Sequence, residues 1–432
     1  MNAELRAKAI KVLNQNAQEG GFTIPTKGLY PFQWKWDSGF IAIGLAHFDK
    51  QRAEDEISSL LDAQWGNGFI PHIVFHTETD TYFPGPEVHQ SERHPQSPKD
   101  YKTTGLTQPP VLGFVLERLY QINGNLEFVR QHIDSIFENH KYFYKNRDIN
   151  KDGLVYIYHN WESGTDNSPM WDEIWEKVQA PEYSFERKDT THVNPAQRPS
   201  KREYDHYIHI IEIAKKWNYD DASIAIHSPF LVIDPLFNAM LIRSNEALIA
   251  LYTLLGGHAD KIEQLRNWQA RSLKGMNEKL FDKKLGAYVH YDLRNDRPLS
   301  YITSSSFAPL FAGIPSNQQA ELMFEVLRQK FGAEDLYMCA SFDPTHSKFN
   351  SQKYWRGPVW INLNWILYHG LRRYKAEKLA ERIKKDTLEL VSKFGYCEYF
   401  DPIKKNDGAY GGENFSWSAA LTLDLLAENN QY

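Results

Sequence analysis

The alternation of apolar and polar positions in this chain has a helical period almost throughout. Between Pro235 and Leu255, apolar side chains fall at Leu236, Ala239, Met240, Leu241, Leu248, Leu251, Tyr252 and Leu255. Asp234 stands where an N-cap belongs, Pro235 at the first helical position and Gly256 just past the end, so both ends of a buried helix are marked. From Ala376 to Phe394, the residues Leu379, Ile383, Leu390, Val391 and Phe394 line one side and Lys and Glu the other, with Gly395 as terminator. Comparable patterns predict helices over about residues 2–16, 37–48, 51–65, 109–122, 126–146, 204–217, 258–280, 303–312, 316–331, 357–374 and 413–427. Period-two alternation is weak and confined to short pieces at 287–292 and 395–400.

Two stretches, about 66–106 and 164–203, are too long for ordinary helix connections and are rich in Pro, His, Gly and aromatics. Long ordered loops in a compact domain usually serve function. No stretch has linker composition and no repeat stands out, so residues 1–432 read as one domain carrying two loop insertions. About a dozen helices with polar, aromatic loops fit an all-α (α/α)6 barrel, in which paired helices form the wall and loops at one end form a site. Periodicity equally permits an α-solenoid.

Composition narrows the ligand. A chain of 432 residues, 42% hydrophobic and 24% charged, can bury a large core. Its net charge of −6 and the absence of a Lys/Arg cluster argue against a nucleic-acid or anionic-membrane partner and for a small molecule. Cys339 and Cys397 are too few for a disulfide framework and lack metal-site spacing. The N-terminus opens an amphipathic helix, not an apolar signal core, and no run nears the ~18 apolar residues of a membrane span. A soluble cytoplasmic protein is expected, with a homo-oligomer left open. The outlier is aromatic content, 14% with 12 Trp and 24 Tyr, and Trp34, Trp36, Trp355, Trp360 and Trp417 cluster beside polar and charged residues. Such surfaces suit sugar rings.

Asp166 and Glu398 sit in aromatic, Gly-containing stretches, 159–171 and 394–402, that do not read as helices. A carboxyl desolvated by rings has its pKa raised, and two such carboxyls are the minimum equipment of a glycosidase. For Asp166 the alternative is a turn Asp, against which Trp161, Trp171 and Trp175 make an unusually apolar frame. Asp37, after Trp34 and Trp36, serves equally as a helix N-cap or as a partner for sugar hydroxyls. Arg356 has no acidic neighbour in sequence and lies among Tyr354, Trp355 and Trp360, so it needs an anion or a sugar hydroxyl. Glu413 competes with Glu398, but its place at the start of the last predicted helix gives it a structural explanation. His72 suits sugar hydroxyls better than a metal, since His72 and His76 have no third ligand at compatible spacing. No metal or cofactor is expected, and phosphate-loop, nucleophile-elbow and dinucleotide motifs are absent.

An ordered set of motifs resembles glycoside hydrolase family 63, in its group of bacterial mannosylglycerate and glucosylglycerate hydrolases. They are Tyr-Pro-Phe-Gln-Trp-Lys-Trp-Asp-Ser (30–38), Gly-Phe-Ile-Pro-His (68–72), Tyr-Phe-Pro-Gly-Pro (82–86), Thr-Gln-Pro-Pro (107–110), Glu-Ser-Gly-Thr-Asp-Asn-Ser (162–168), Tyr-Trp-Arg-Gly-Pro-Val-Trp (354–360) and Glu-Tyr-Phe-Asp-Pro (398–402). The resemblance implies an (α/α)6 barrel and inverting hydrolysis of an α-glycosidic bond, with Asp166 as general acid and Glu398 as general base. It implies that Tyr82, Gln108, Arg198, Tyr204 and Tyr354 meet a substrate carboxylate, while Tyr30, Trp34, Trp36, Asp37, Phe69, His72, Gly164, Trp355, Arg356, Trp360 and Glu413 complete the binding set. For Arg198, composition alone favours a surface residue beside Arg202. A trehalase-like or processing-glucosidase-like enzyme acting on a neutral disaccharide is the alternative; a His-based sugar epimerase and a non-catalytic sugar-binding protein are the readings from other classes.

Overall fold

A computed structural model describes residues 2–428; residue 1 and residues 429–432, the two ends of the predicted one-domain span, lie outside it. Six segments close a ring: Lys35–Ala46, Leu112–Asn123, Pro235–Leu255, Ser304–Leu310, Ile361–Arg373 and Ser416–Ala427. Each packs on the next and the last on the first. Helices Asn2–Gln15, Lys50–Leu61, Leu126–Asn146, Ala259–Gly275 and Glu377–Phe394 cover this ring from outside. The sixth outer helix, Asn317–Val326, reaches the ring through the strand Ala287–Tyr288, which touches Ser304–Leu310. The result is an (α/α)6 barrel. Among the described residues, no helix is long and apolar enough to cross a membrane.

The sequence explains which helices go where. All twelve residues of Lys35–Ala46 are buried, as are Ser416 to Leu426, because an inner helix is flanked on every side by protein. Glu377–Phe394 instead buries Ala380, Ile383, Leu390 and Val391 on one stripe, together with Lys384 and Asp386, and turns much of its charged side outward. Asp234 caps as its position suggests, accepting from the backbone N–H groups of Leu236 and Phe237 at 2.7 and 3.2 Å. The predicted 303–312 helix forms as a 3-10 segment with Pro309 inside it, since proline lacks the N–H that an α-turn would use. The helix expected from 357 begins only at Ile361, after the Gly357-Pro358 turn, and the last begins at Ser416 instead of 413.

Of the alternating pieces, 287–292 forms Ala287–Tyr288 and His290–Asp292, while 395–400 supplies Tyr399–Phe400 paired antiparallel with Ala409–Tyr410. Further two- and three-residue strands escape sequence reading. Gln33–Trp34, Ile73–Phe75 and Lys102–Thr103 form one small sheet, tying the 66–106 loop to the start of the first inner helix.

Candidate active site

A cavity of about 750 Å³, counted with its open mouth, lies where the inner helices begin. Trp34 and Trp36 reach it from the start of Lys35–Ala46, Gln108 from the segment before Leu112, Trp355 and Trp360 from the turn before Ile361, and Phe415 and Trp417 from the start of the last helix.

Rings form the floor. Trp355 and Trp360 stack at 3.7 Å with planes 2° apart, and Tyr399 continues the stack at 4.8 Å from Trp360. Trp417 stands edge-on to Trp36 and Trp360 at 5.4 and 5.9 Å. Gly164 makes this closure feasible: a Cβ there would stand 2.4 Å from the Trp36 ring, and its φ of +72° disfavours any side chain.

Asp166 faces the cavity from the loop after Gly164. Its backbone carbonyl accepts from Asn160 Nδ2 at 2.7 Å and from the Tyr207 hydroxyl at 3.3 Å. The neighbouring Asn167 ties this loop to the 354–360 turn, its Oδ1 accepting from the Trp355 N–H at 3.0 Å. Burial lifts the Asp166 carboxyl to about pKa 7; Arg198 pulls it down, nearby Glu398 pushes it up, and a hydrogen bond from Tyr354 opposes the rise. The framing indoles divide the work: Trp161 lines the cavity, while Trp171 donates to the Thr165 carbonyl at 3.0 Å from behind the loop.

Glu398 is buried and differently solvated. Oε1 accepts from the Tyr30 hydroxyl at 2.8 Å and lies 3.5 Å from Arg198 Nη1, while Oε2 accepts from the Gly412 N–H at 2.9 Å. Gly411 must be glycine, for its φ is +76° and a Cβ would come within 2.2 Å of Glu398 Oε2. Burial raises the Glu398 pKa above the ordinary carboxylate range, and Arg198 and the other donors oppose that rise. Two hydrogen bonds and the Arg198 charge therefore favour the charged form of Glu398 against the burial that raises its pKa.

Asp37 is a further carboxyl of the cavity. It does not cap the first inner helix; it is that helix's third residue, the capping position is Trp34, and burial pushes the Asp37 pKa well up. His72 is held neutral by burial, with Nδ1 engaged by Thr104 Oγ1 at 2.6 Å and its ring stacked near Trp161. Gln108 Oε1 accepts from the Trp36 N–H at 3.2 Å, which turns its amide donor to the remaining space. Tyr30, Tyr82, Tyr204 and Tyr354 also line the cavity.

Arg198 is no surface residue. It is 4% exposed, its guanidinium stacks 4.0 Å from the Tyr354 ring, Nε donates to Asp189 Oδ2 at 3.1 Å and Nη2 to the Tyr30 hydroxyl at 3.0 Å. Nη1 has no hydrogen-bond partner although it is buried.

Three residues placed in the site by sequence reasoning lie outside the cavity. Phe69 packs in the core against Trp65 and Tyr142 at 4.7 and 5.3 Å. Arg356 finds its anion in Asp172, 184 positions away, through two 2.8 Å contacts, and also donates to the Asn167 carbonyl at 3.2 Å. Glu413 is exposed, three residues before the last helix, and its carbonyl accepts from Thr26 Oγ1. Conversely, Asp189, Phe83 and Phe415 line the cavity without having been singled out. Nothing in the local sequence distinguishes Asp189 from other loop acids, because its partners are brought in by tertiary contacts.

His72 and His76 do not converge on a metal site: His76 stacks on Phe22 at 4.0 Å and meets Gln33 at 2.7 Å. Among the described residues, His369, Asp424 and Glu428 form one cluster with metal-ligand spacing. The Asp424 oxygens there already accept from Arg118 and Trp365 and meet His47, so this cluster reads as a structural charge centre.

This ring of helices with paired carboxyls over an aromatic floor defines the class, a glycoside hydrolase of (α/α)6 architecture. Residues 30–418 match the family described as "Mannosylglycerate hydrolase MGH1-like glycoside hydrolase domain". The chain is 42% identical to a mannosylglycerate hydrolase of Thermus thermophilus, over 96% of this chain and 99% of that one. It is 33% identical to a glucosylglycerate hydrolase of Mycolicibacterium hassiacum, over 98% of both. A crystal structure of a family 63 mannosylglycerate hydrolase from Thermus thermophilus with Tris and D-glycerate superposes with a TM-score of 0.90 at 41% identity, covering 97% of this chain and 99% of that one. Yeast neutral trehalase shares the fold alone, with a TM-score of 0.61 at 15% identity. The chain belongs to the MGH1-like group of glycoside hydrolase family 63.

Proposed function

We propose that this enzyme hydrolyses an α-glycoside of glycerate, mannosylglycerate or glucosylglycerate, with inversion, Asp166 acting as general acid and Glu398 as general base. The observation that carries this reading is the unequal solvation of the two carboxyls. Asp166, lifted to about pKa 7 with one side-chain donor on it, is the group that keeps a proton. Glu398, with the Tyr30 hydroxyl, the Gly412 N–H and Arg198 on its oxygens, is the group that gives its proton up. Inverting hydrolysis needs that division: the acid protonates the leaving oxygen while the base takes a proton from water attacking the opposite face.

The rest of the cavity has matching tasks. The rings of Trp34, Trp36, Trp355 and Trp360, with Asp37, His72 and the backbone at Gly164, would hold the sugar. Arg198, with Tyr82, Gln108, Tyr204 and Tyr354, would receive the glycerate carboxylate; a buried guanidinium whose Nη1 makes no hydrogen bond suits an anion. Phe69, Arg356 and Glu413 have no direct part in this assignment. The hydrolases of mannosylglycerate and glucosylglycerate among the relatives support a glycerate aglycone over a neutral disaccharide. Purified protein offered mannosylglycerate, glucosylglycerate, trehalose and kojibiose should release sugar chiefly from the two glycerates. Preferential cleavage of trehalose or kojibiose would reject the reading.

A further inference from the structure

The loop from Asp172 to Pro199 holds a charge arrangement that the assignment above leaves unused. Asp189 lines the cavity and is shared by two guanidiniums. Arg187 binds it through both oxygens, Nε to Oδ1 at 3.0 Å and Nη2 to Oδ2 at 2.5 Å, and Arg198 Nε meets Oδ2 at 3.1 Å. Arg187 is itself fixed: its Nη1 donates to the Pro199 carbonyl and its plane stacks 4.1 Å from the Tyr204 ring. All three charged groups are nearly buried, with side-chain exposures of 11% for Arg187, 12% for Asp189 and 4% for Arg198. Arg198 is therefore gripped on its Nε edge by Asp189, on its face by Tyr354 and at Nη2 by Tyr30, and only Nη1, 3.5 Å from Glu398 Oε1, makes no hydrogen bond.

From this geometry we infer that Asp189, clamped by Arg187, is a positioning residue that aims Arg198 and sets selectivity for an anionic aglycone. The inference rests on the glycerate reading of Arg198. Without the Asp189 carboxylate, two guanidiniums would face each other with no anion between them, and Arg198 would lose the contact that fixes its rotation. Outer contacts that orient a binding group matter by roughly 10- to 100-fold where they have been measured at metal ligands, and a similar range is expected here. The larger loss falls on binding, because Asp189 makes no hydrogen bond to Asp166 or Glu398 among the described residues and reaches Glu398 only through Arg198, whose Nη1 stands 3.5 Å from Oε1.

The test compares wild type with Asp189→Asn and Arg187→Gln, each checked for folding by circular dichroism. Two quantities are measured: the affinity for D-glycerate by calorimetry, and kcat and KM on mannosylglycerate and glucosylglycerate. Asp189→Asn should weaken D-glycerate binding and raise KM by roughly 10- to 100-fold with kcat within about fivefold, and Arg187→Gln should move both in the same direction by less. Unchanged D-glycerate affinity in both folded variants overturns the inference, as does a loss confined to kcat. If Asp189→Asn does not fold, Arg187→Gln decides on the same criteria. Wild type that neither binds D-glycerate nor cleaves its glycosides overturns the glycerate reading and this inference with it, whereas a competent wild type with indifferent variants overturns the inference alone.

Discussion

Arg198 Nη1 stands 3.5 Å from Glu398 Oε1, and the Tyr30 hydroxyl joins the same two residues at 3.0 and 2.8 Å. An arginine proposed to select the aglycone therefore also stabilises the charge of the proposed base. Arg198→Ala should for that reason lose activity on two counts. On a glycerate glycoside kcat/KM should fall roughly 30- to 1000-fold or more, the cost of about 2–5 kcal/mol of charge-assisted contact. A neutral α-glucoside should also be cleaved more slowly, and the acid limb of its pH profile should move to higher pH, since Arg198 opposes the rise of the Glu398 pKa. An unmoved acid limb would show that the 3.5 Å contact has no electrostatic consequence.

Asp166→Asn and Glu398→Gln should each lower kcat by at least ~100-fold in folded protein, the usual cost of removing a positioned proton-transfer group. Glu413→Gln should retain activity, because that side chain is exposed and outside the cavity. Steady-state kinetics on the three variants checks the assignment, and a dead Glu413→Gln beside an active Glu398→Gln would reverse it.

The pH dependence has a defined sign. Asp166 must be protonated to donate, so activity should fall as pH rises through about 7, and it should fall at the acid side as Glu398 gains a proton. The same shift acts on stability. The folded pKa of Asp166, about 7, exceeds its ordinary value of 3.8, so its contribution is fully present below the ordinary value and is lost as pH rises through about 7. Melting temperatures of Asp166→Asn relative to wild type should consequently rise between about pH 4 and 8, and a flat difference would contradict the shift.

A single displacement at the anomeric carbon should release the β anomer first from an α-linked substrate. Proton NMR within the first minutes of reaction distinguishes this from retention, in which the α anomer would lead.

Arg356→Ala should act through the Asp166 loop without touching the sugar. It removes both 2.8 Å contacts to Asp172 and the bond to the Asn167 carbonyl, leaving Asp172 with Lys348 at 3.1 Å. A loss of about 1–3 kcal/mol by denaturant unfolding is expected. A drop in kcat without any change in stability would assign Arg356 to the chemistry instead.

Helix identity, the capping of Pro235–Leu255 and the prominence of Asp166 and Glu398 were legible because they rest on local causes: a 3.6-residue period, a capping Asp, carboxyls beside indoles. Local causes were silent where a residue's partner is distant. Arg356 looked unpaired because Asp172 lies 184 positions away. Asp189 looked ordinary because its importance comes from Arg187 and Arg198 converging on it, and Arg198 looked like a surface residue until the ring brought Tyr30, Tyr354 and Glu398 around it. Phe69 carried the same aromatic signal as Trp355 but faces the core. Periodicity specifies which face of a helix is apolar, and closure of six such helices into a ring specifies which loop residues share a cavity. That closure depends on contacts between segments far apart in the chain, which no local pattern encodes.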